Sequence, residues 1–294
     1  MKKDGFPDKE NGHPFVLIFT DLDGTLLDPI SYGWEEAKPA LNLCRRLHVP
    51  IIPVSSKTRA EMNVLRDKMG LSSPFISENG GGIFFPKGGG HKVPSVAILA
   101  ENMWMWSLGL PYDRLVRALK EIREELGWNI RGFSEMTPEE ISRLTCLDLE
   151  TSRMASEREY DEPFIVLEQK DLDSDALYDA ARRRGLNITR GGRFYHIQGK
   201  NDKGEAVEKV ISWYKEYHHE ILTIALGDSP NDFSMLKQVD YPVLLPSAHP
   251  FHGIEERIPG LRIIREIGPK GWNSAVLDIL DEKMKRGMSW HVRK

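Results

Sequence analysis

Hydrophobic residues fall along this chain in short unbroken runs, each followed by a polar turn and then a helical repeat. Phe15-Val-Leu-Ile-Phe19, Pro50-Ile-Ile-Pro-Val54, Ile221-Leu-Thr-Ile-Ala-Leu226 and Tyr241-Pro-Val-Leu-Leu245 lack the alternation of a half-exposed strand. They read as strands covered on both faces, as in a parallel sheet. Glu35 to Leu47, Arg59 to Met69, Glu205 to Tyr217 and Trp272 to Met284 read as helices, with Gly70 stopping the second. Strand and helix alternating through short connections predict a parallel sheet with right-handed crossovers. Pro74-Phe-Ile-Ser77 reads as a third strand, running into Glu78-Asn-Gly-Gly-Gly82 and a short apolar segment, Ile83 to Phe85.

The pattern changes after Pro86-Lys-Gly-Gly-Gly90, a candidate hinge. Val93 to Leu99 is a candidate strand. Tyr112 to Leu126 is an amphipathic helix with Leu115, Leu119, Ile122 and Leu126 on one face. Strands are expected over Trp128 to Phe133, Pro163 to Glu168, Asn187 to Arg190 and Arg193 to Ile197. Helices open at Thr137, at Asp148, and at Asp173 or Ser174. The Met- and Trp-rich run Asn102 to Trp106 reads as packing or interface. The parallel pattern resumes after residue 198, so 87–197 reads as an α+β unit inserted into an α/β core formed by 1–86 and 198–294.

Composition narrows the partners. The 294 residues carry 40 basic and 44 acidic side chains, a formal net charge of −4, with no block of one sign. Nothing here suggests a nucleic-acid surface or a membrane surface, and no apolar run approaches the length of a span. Cys44 and Cys146 are the only cysteines and lack metal-ligand spacing, which points to a reduced, cytoplasmic setting. Met1 to Pro14 reads as a polar leader without the apolar run of a signal peptide. Oligomeric state leaves no mark in the sequence.

The candidate chemistry lies at strand ends. Asp21 and Asp23 follow the first run, Ser55 and Ser56 the second, and Asp228, Asn231 and Asp232 the late one, while Lys203 opens a helix. In a parallel sheet these points fall on one edge, where open α/β sheets bind ligands. Two acids two residues apart could hold a divalent cation, serve as nucleophile and proton carrier, or form a solvated acidic turn. Acids from two strand ends suit a hard cation with oxygen ligands, and a lysine beside a hydroxyl suits a phosphate. In Gly227-Asp-Ser-Pro-Asn-Asp232, Ser229 can cap a helix with Pro230 at its first position and Asp232 at its third.

Together these stretches resemble the haloacid dehalogenase superfamily of phosphotransferases. Asp21-Leu-Asp-Gly-Thr25 is similar to its first motif, the end of Pro50 to Ser55 to its second, Lys203-Gly204 to its third and Gly227 to Asp232 to its fourth. A narrower resemblance, to the mannosyl-3-phosphoglycerate phosphatase family, rests on six further stretches. These are Val54-Ser-Ser-Lys-Thr-Arg59, Glu78-Asn-Gly-Gly81, Arg131-Gly-Phe133, Ala155 to Pro163, Gly191-Gly-Arg-Phe-Tyr-His196 and Gly268-Pro-Lys-Gly-Trp272. Where related enzymes of the superfamily carry Thr-Gly-Arg, this chain has Ser55-Ser56-Lys57, a departure shared with that branch.

The resemblance implies a Rossmann-like parallel-sheet core with an inserted α+β cap, and a Mg²⁺-dependent phosphatase. It makes Asp21 the nucleophile and Asp23 the general acid and base. Ser55 and Lys203 hold the phosphoryl group. Asp21, the main-chain carbonyl of Asp23, Asp228 and Asp232 hold the cation; Asn231 is a candidate for substrate binding that could orient a neighbouring carboxylate or simply form the turn. The implied substrate is a sugar phosphate, mannosyl-3-phosphoglycerate. Its carboxylate calls for a cap arginine from among Arg131, Arg158, Arg190 and Arg193, with Arg193 preferred. Its sugar calls for Glu159, Asp161 or Glu162, helped by Glu78, Asn79, Gly80 and Gly81 from the core. His196 reads as a packed strand histidine. The alternatives are another sugar phosphate such as glucosyl-3-phosphoglycerate, a sugar phosphomutase, or a non-enzymatic sugar-phosphate sensor.

Overall fold

The computed structural model describes residues 14–88, 91–167, 174–190, 194–247, 251 and 253–285. The chain opens with β1 (Phe15–Thr20), α1 (Lys38–Arg46), β2 (Ile51–Pro53), α2 (Arg59–Met69), β3 (Phe75–Ser77) and β4 (Gly82–Pro86). It continues through β5 (Ile98–Ala100), β6 (Met103–Ser107), α3 (Tyr112–Leu126), β7 (Ile130–Gly132), α4 (Pro138–Thr145), α5 (Leu149–Ser156) and β8 (Asp161–Val166). Next come α6 (Ser174–Arg183), β9 (Asn187–Arg190), β10 (Tyr195–Gln198), α7 (Lys203–Lys215), β11 (Ile221–Gly227) and α8 (Phe233–Leu236). β12 (Tyr241–Leu244), β13 (Arg262–Ile263) and α9 (Gly268–Lys285) close the described chain.

The first sheet is parallel, in the order β13-β12-β11-β1-β2. The unbroken apolar run of β1 has a direct cause: both its faces are covered. Val16 and Ile18 join α1 and α9 in one buried cluster, while Leu17 and Phe19 join α7 and α8 in another. Each fully buried aliphatic or Phe side chain contributes about 1.5–3 kcal/mol, which favours this central position over an edge. Register then aligns the strand ends. Thr20 lies opposite Leu226 on one side and Pro53 on the other, so Asp21, Ser55 and Asp228 all emerge at one edge.

β3 takes a different place from its neighbours. It touches the parallel sheet through one bridge, Val54 to Ile76, and pairs antiparallel with β4 in a second sheet ordered β3-β4-β6-β5. The cause is the turn Glu78-Asn79-Gly80, whose φ angles are +46°, +53° and +94°. Three left-handed residues reverse the chain at once, leaving no room for a crossover helix. At Gly80 a Cβ would lie 2.1 Å from the Asp202 carbonyl oxygen, so both space and backbone demand glycine.

The Val93-to-Leu99 expectation shrinks to the edge strand β5, because Pro94 cannot donate to a ladder and its carbonyl instead closes a turn with Ala97. In β6 the alternation sorts the side chains: Met103 and Met105 pack with one core cluster, Trp104 and Trp106 with the other. A third, antiparallel sheet, β7-β8-β10-β9, packs on α3 and α6 through a cluster centred on Leu115, Phe164, Leu177 and Ile197. Because β5 and β6 pair with β4, hydrogen bonding carries the earlier unit past residue 87, as far as Ser107. The expected cap at Asp173, the Gly191-Gly192 turn and most of the N-terminal leader lie outside the described residues.

Candidate active site

Asp21 follows directly on β1. Its N–H donates to the Leu226 carbonyl (2.9 Å), which ties it to the next strand. Its carbonyl accepts from Thr20 Oγ1 (2.7 Å), which in turn accepts from the indole of the fully buried Trp272 (3.0 Å). The C-terminal helix thus braces the end of β1.

Lys203, in the first turn of α7, is buried, and its ammonium lies 2.6 Å from both Asp21 Oδ1 and Asp232 Oδ1. Burial acts against that charge, but Asp21 and Asp232 outweigh it and hold the ammonium above its ordinary value. Asp232 is held from its other side. Its Oδ2 accepts from the N–H groups of Asp228 and Ser229 (3.0 Å each) and from the Ser229 hydroxyl (3.1 Å). The capping pattern of Ser229-Pro-Asn-Asp232 thereby orients one carboxylate toward Lys203.

Asp228, partly buried, accepts a hydrogen bond from Thr25 Oγ1 at 3.3 Å. Oxygens of Asp21, Asp228 and Asp232 all lie within 4.8 Å of one another. Burial raises the Asp21 carboxyl well above the usual range; Lys203 opposes this, and Asp232, Asp228 and Asp23 reinforce it. Burial, then Asp232, pushes Asp228 up to about 7. One buried ammonium does not balance this many carboxylates. The oxygen-only donor set fits a hard divalent cation and not one that prefers sulfur or imidazole. Asp21 and Asp228 could hold it directly. Asp232, already accepting four hydrogen bonds, could do so directly or through water.

Asp23 points elsewhere. Its Oδ2 pairs with Lys57 Nζ at 2.9 Å, while its Oδ1 is shielded from solvent and has no hydrogen-bond partner among the described residues. Ser55 is buried at the end of β2, and its Oγ accepts from the Lys57 N–H (3.2 Å). The left-handed turn is pinned to the same loop, because Glu78 N–H donates to Lys57 O (3.1 Å) and Asn79 N–H to Ser55 O (3.0 Å). Asn231 Nδ2 donates to Asn79 Oδ1 at 3.0 Å, linking two of the expected site residues.

A cleft of about 380 Å³ opens above Asp23, between the core loops and the segment carrying α4, α5, β8 and β10. Ser56, Lys57, Phe133, Arg158 and His196 are among its walls. Arg158 is buried, donating to the carbonyls of Ser56 and Ala155 (2.8 Å each) beside Asp161 at 3.6 Å. His196 is a largely buried strand histidine, as expected, but it also lines the cleft, with Nδ1 hydrogen-bonded to the buried Asp161 at 2.8 Å. Other expected sugar or carboxylate readers are engaged away from it. Glu162 accepts from Tyr112 (2.5 Å) and Ser134 (2.7 Å), Arg131 pairs with Glu140 (2.7 Å), and Glu159 with Arg59 (3.3 Å). Arg190 lies over the Tyr195 ring at 5.2 Å and does not line the cleft, and Arg193 lies outside the described residues.

Sequence reasoning passed over Lys57. Lys57 and Glu61 have the i,i+4 spacing of a surface helical pair. The signal was the Thr58-to-Glu61 capping box, which buries Glu61 and turns Lys57 inward.

Glu78 gives a testable electrostatic consequence. Its fully buried carboxylate accepts from the N–H groups of Glu159 (3.0 Å) and Tyr160 (2.8 Å), across the join between core turn and β8. Burial pushes it from 4.5 up to about 8, against Arg158 and those N–H groups and with Asp161. A folded value above the unfolded one means a contribution complete below pH 4.5 and lost as pH rises through about 8. Wild type should therefore lose a few kcal/mol of stability across that window relative to Glu78→Gln. Parallel stability–pH curves for the two proteins, from urea unfolding, would refute this.

A family model for haloacid dehalogenase-like hydrolases matches residues 164–251. The chain is 40% identical over 266 residues to the glucosyl-3-phosphoglycerate/mannosyl-3-phosphoglycerate phosphatase of Methanococcoides burtonii, covering 90% of this chain and 97% of that relative. It is 35% identical over 230 residues to the mannosyl-3-phosphoglycerate phosphatase of Pyrococcus furiosus, covering 78% of this chain and 90% of the relative. In fold it is similar to a haloacid dehalogenase-like hydrolase from Bacteroides thetaiotaomicron, with a TM-score of 0.61 at 15% identity, covering 90% of this chain and 99% of that one. Identity at this level over nearly the whole length places the chain in the mannosyl-3-phosphoglycerate phosphatase family of haloacid dehalogenase-like hydrolases, a family of phosphoric monoester hydrolases.

Proposed function

We propose that this protein removes phosphate from glycosyl-3-phosphoglycerates, the mannosyl and glucosyl compounds alike, through an aspartyl-phosphate on Asp21. The observation that carries this reading is the division between two neighbouring acids. Asp21 sits in a buried cluster with Lys203 and Asp228, while Asp23 stands on Lys57 at the floor of the cleft.

Asp21, Asp228, the Asp23 carbonyl and Asp232 would hold a Mg²⁺ ion, which would supply positive charge where a carboxylate meets a phosphate dianion. Lys203 and Ser55 bind the phosphoryl oxygens. Asp21 attacks phosphorus, and Asp23 gives its proton to the departing ester oxygen. The same Asp23 carboxylate then takes a proton from the water that opens the aspartyl-phosphate. Asn231 and Asn79 hold the two loops on either side in register. Residues 1–86 and 198–294 act as the catalytic core and the inserted segment as the cap, with strand pairing favouring a cap that begins after Ser107. The cleft between them takes the glycosylglycerate half, in reach of Arg158 and of His196 on Asp161.

The test is phosphate release over a substrate panel with Mg²⁺. Mannosyl- and glucosyl-3-phosphoglycerate should exceed hexose 6-phosphates in kcat/KM by about 100-fold, since a polar site left unpaired penalises the wrong substrate. Exhaustive EDTA treatment should abolish turnover and Mg²⁺ restore it. Equal rates on hexose phosphates, or turnover that survives EDTA, would sink the assignment.

A further inference from the structure

Lys57 belongs to none of the roles above except as the partner of Asp23. Its side chain is only 11% exposed, yet it lines the cleft. It is held in place from several sides: its N–H rests on Ser55 Oγ (3.2 Å), and the next residue opens α2 through a capping box. The ammonium lies 2.9 Å from Asp23 Oδ2, 3.9 Å from Glu61 Oε1 and 5.3 Å from the Tyr32 ring centre. Three N–H donors are available on an ammonium. Among the described residues only the Asp23 contact is at hydrogen-bond length, so donor capacity remains at the cleft wall.

Position gives that capacity a use. The Asp23 carboxyl has to meet the ester oxygen that leaves phosphorus, so a group touching Asp23 also borders the first carbons of the leaving alcohol. In a glyceric acid 3-phosphate, a carboxylate sits two carbons beyond the esterified carbon. Among the described residues, two other arginines expected to read the carboxylate are less well placed for it. Arg158 is tied down through Nε and Nη1 to the Ala155 and Ser56 carbonyls, beside the buried Asp161 carboxylate that already faces its charge, and Arg190 does not line the cleft.

We propose that Lys57 anchors a carboxylate on the leaving alcohol and so selects glyceric-acid phosphates over neutral phosphate esters. This rests on the glycosyl-3-phosphoglycerate reading and adds the residue that recognises the glycerate end. A cation with one strong partner gains a second, charge-assisted one when the substrate arrives, while a neutral alcohol leaves that position unfilled.

The test compares 3-phosphoglycerate with glycerol 3-phosphate as competitive inhibitors of p-nitrophenyl phosphate hydrolysis by the Mg²⁺-loaded enzyme. The two ligands share phosphate and carbon chain and differ in the carboxylate. Wild type should bind 3-phosphoglycerate at least about tenfold tighter, and Lys57→Met should bring the two inhibition constants to within about twofold. A role confined to positioning Asp23 would shift both constants together and leave their ratio intact. Lys57→Met strips the buried Glu61 of its cation, so the ratio is read also in Lys57→Met/Glu61→Gln, which keeps the charge count. A ratio near one in wild type, or one unchanged in both variants, overturns the proposal. The substrate panel fails separately: preference for 3-phosphoglycerate without release from either glycosyl compound refutes the function and leaves the anchor standing.

Discussion

Asp21→Asn should lower phosphate release from every phosphomonoester by about 10⁴-fold or more, as loss of a nucleophile does. The amide keeps the shape of the side chain but cannot attack phosphorus. The fold should survive, and the electrostatics say why. Lys203 retains Asp232 at 2.6 Å, so the substitution leaves a one-to-one buried pair where two carboxylates had shared one ammonium.

The sign on stability follows from the same cluster. Burial holds the Asp21 carboxyl above its ordinary 3.8. Its contribution is therefore complete below pH 3.8 and is lost as pH rises above that value. In metal-free protein at pH 7, Asp21→Asn should unfold at the wild-type temperature or higher, with the gap closing toward pH 4. Turnover within tenfold of wild type would remove Asp21 from the chemistry. A collapsed melting temperature would show that the carboxylate is needed for folding.

Lys203→Met should cost both activity and stability. The ammonium is buried and touches both Asp21 and Asp232. Removing one partner from a buried ionic group strands the other charges, at a cost of about 3–5 kcal/mol. For a chain of this size that lowers the melting temperature by about 10 °C. Turnover should fall by about 10²–10³-fold, the usual loss when a preorganised donor to a developing charge is removed. Asp21→Asn/Lys203→Met should melt higher than Lys203→Met alone, because the second change discharges one stranded carboxylate. Strictly additive effects in this cycle, measured by thermal unfolding with EDTA present, would show that the pair is not coupled.

Local chemistry was readable wherever its partners lie within a few residues. The helix over Arg59–Met69, stopped by a left-handed Gly70, and that over Tyr112–Leu126 match their patterns. Thr137 with Glu140 and Ser229 with Asp232 form the capping arrangements their spacing predicts. Phe75–Ser77 forms the strand its pattern predicts, but the run Glu-Asn-Gly-Gly-Gly permits many turns after it. Only the crowding of Gly80 against Asp202 and the N–H bonds from Glu78 and Asn79 to the β2 loop select the left-handed one. Glu162, offered as a sugar reader, looks the same in sequence as a buried carboxylate satisfied by Tyr112 and Ser134.

The first apolar run and the acids after it remain the organising feature. By itself the sequence determined that β1 is covered on both faces, that Asp21 and Asp23 follow it, and that later strands end in Ser55 and Asp228. Those properties are set by side-chain pattern and chain order. Tertiary structure alone decided which charges meet. Asp21 lies with Lys203, 182 positions away, and the cleft histidine with Asp161, 35 positions away. Asp23 turns to Lys57. Such pairings depend on strand register and on how much water the packing removes, and no span of residues encodes either by itself.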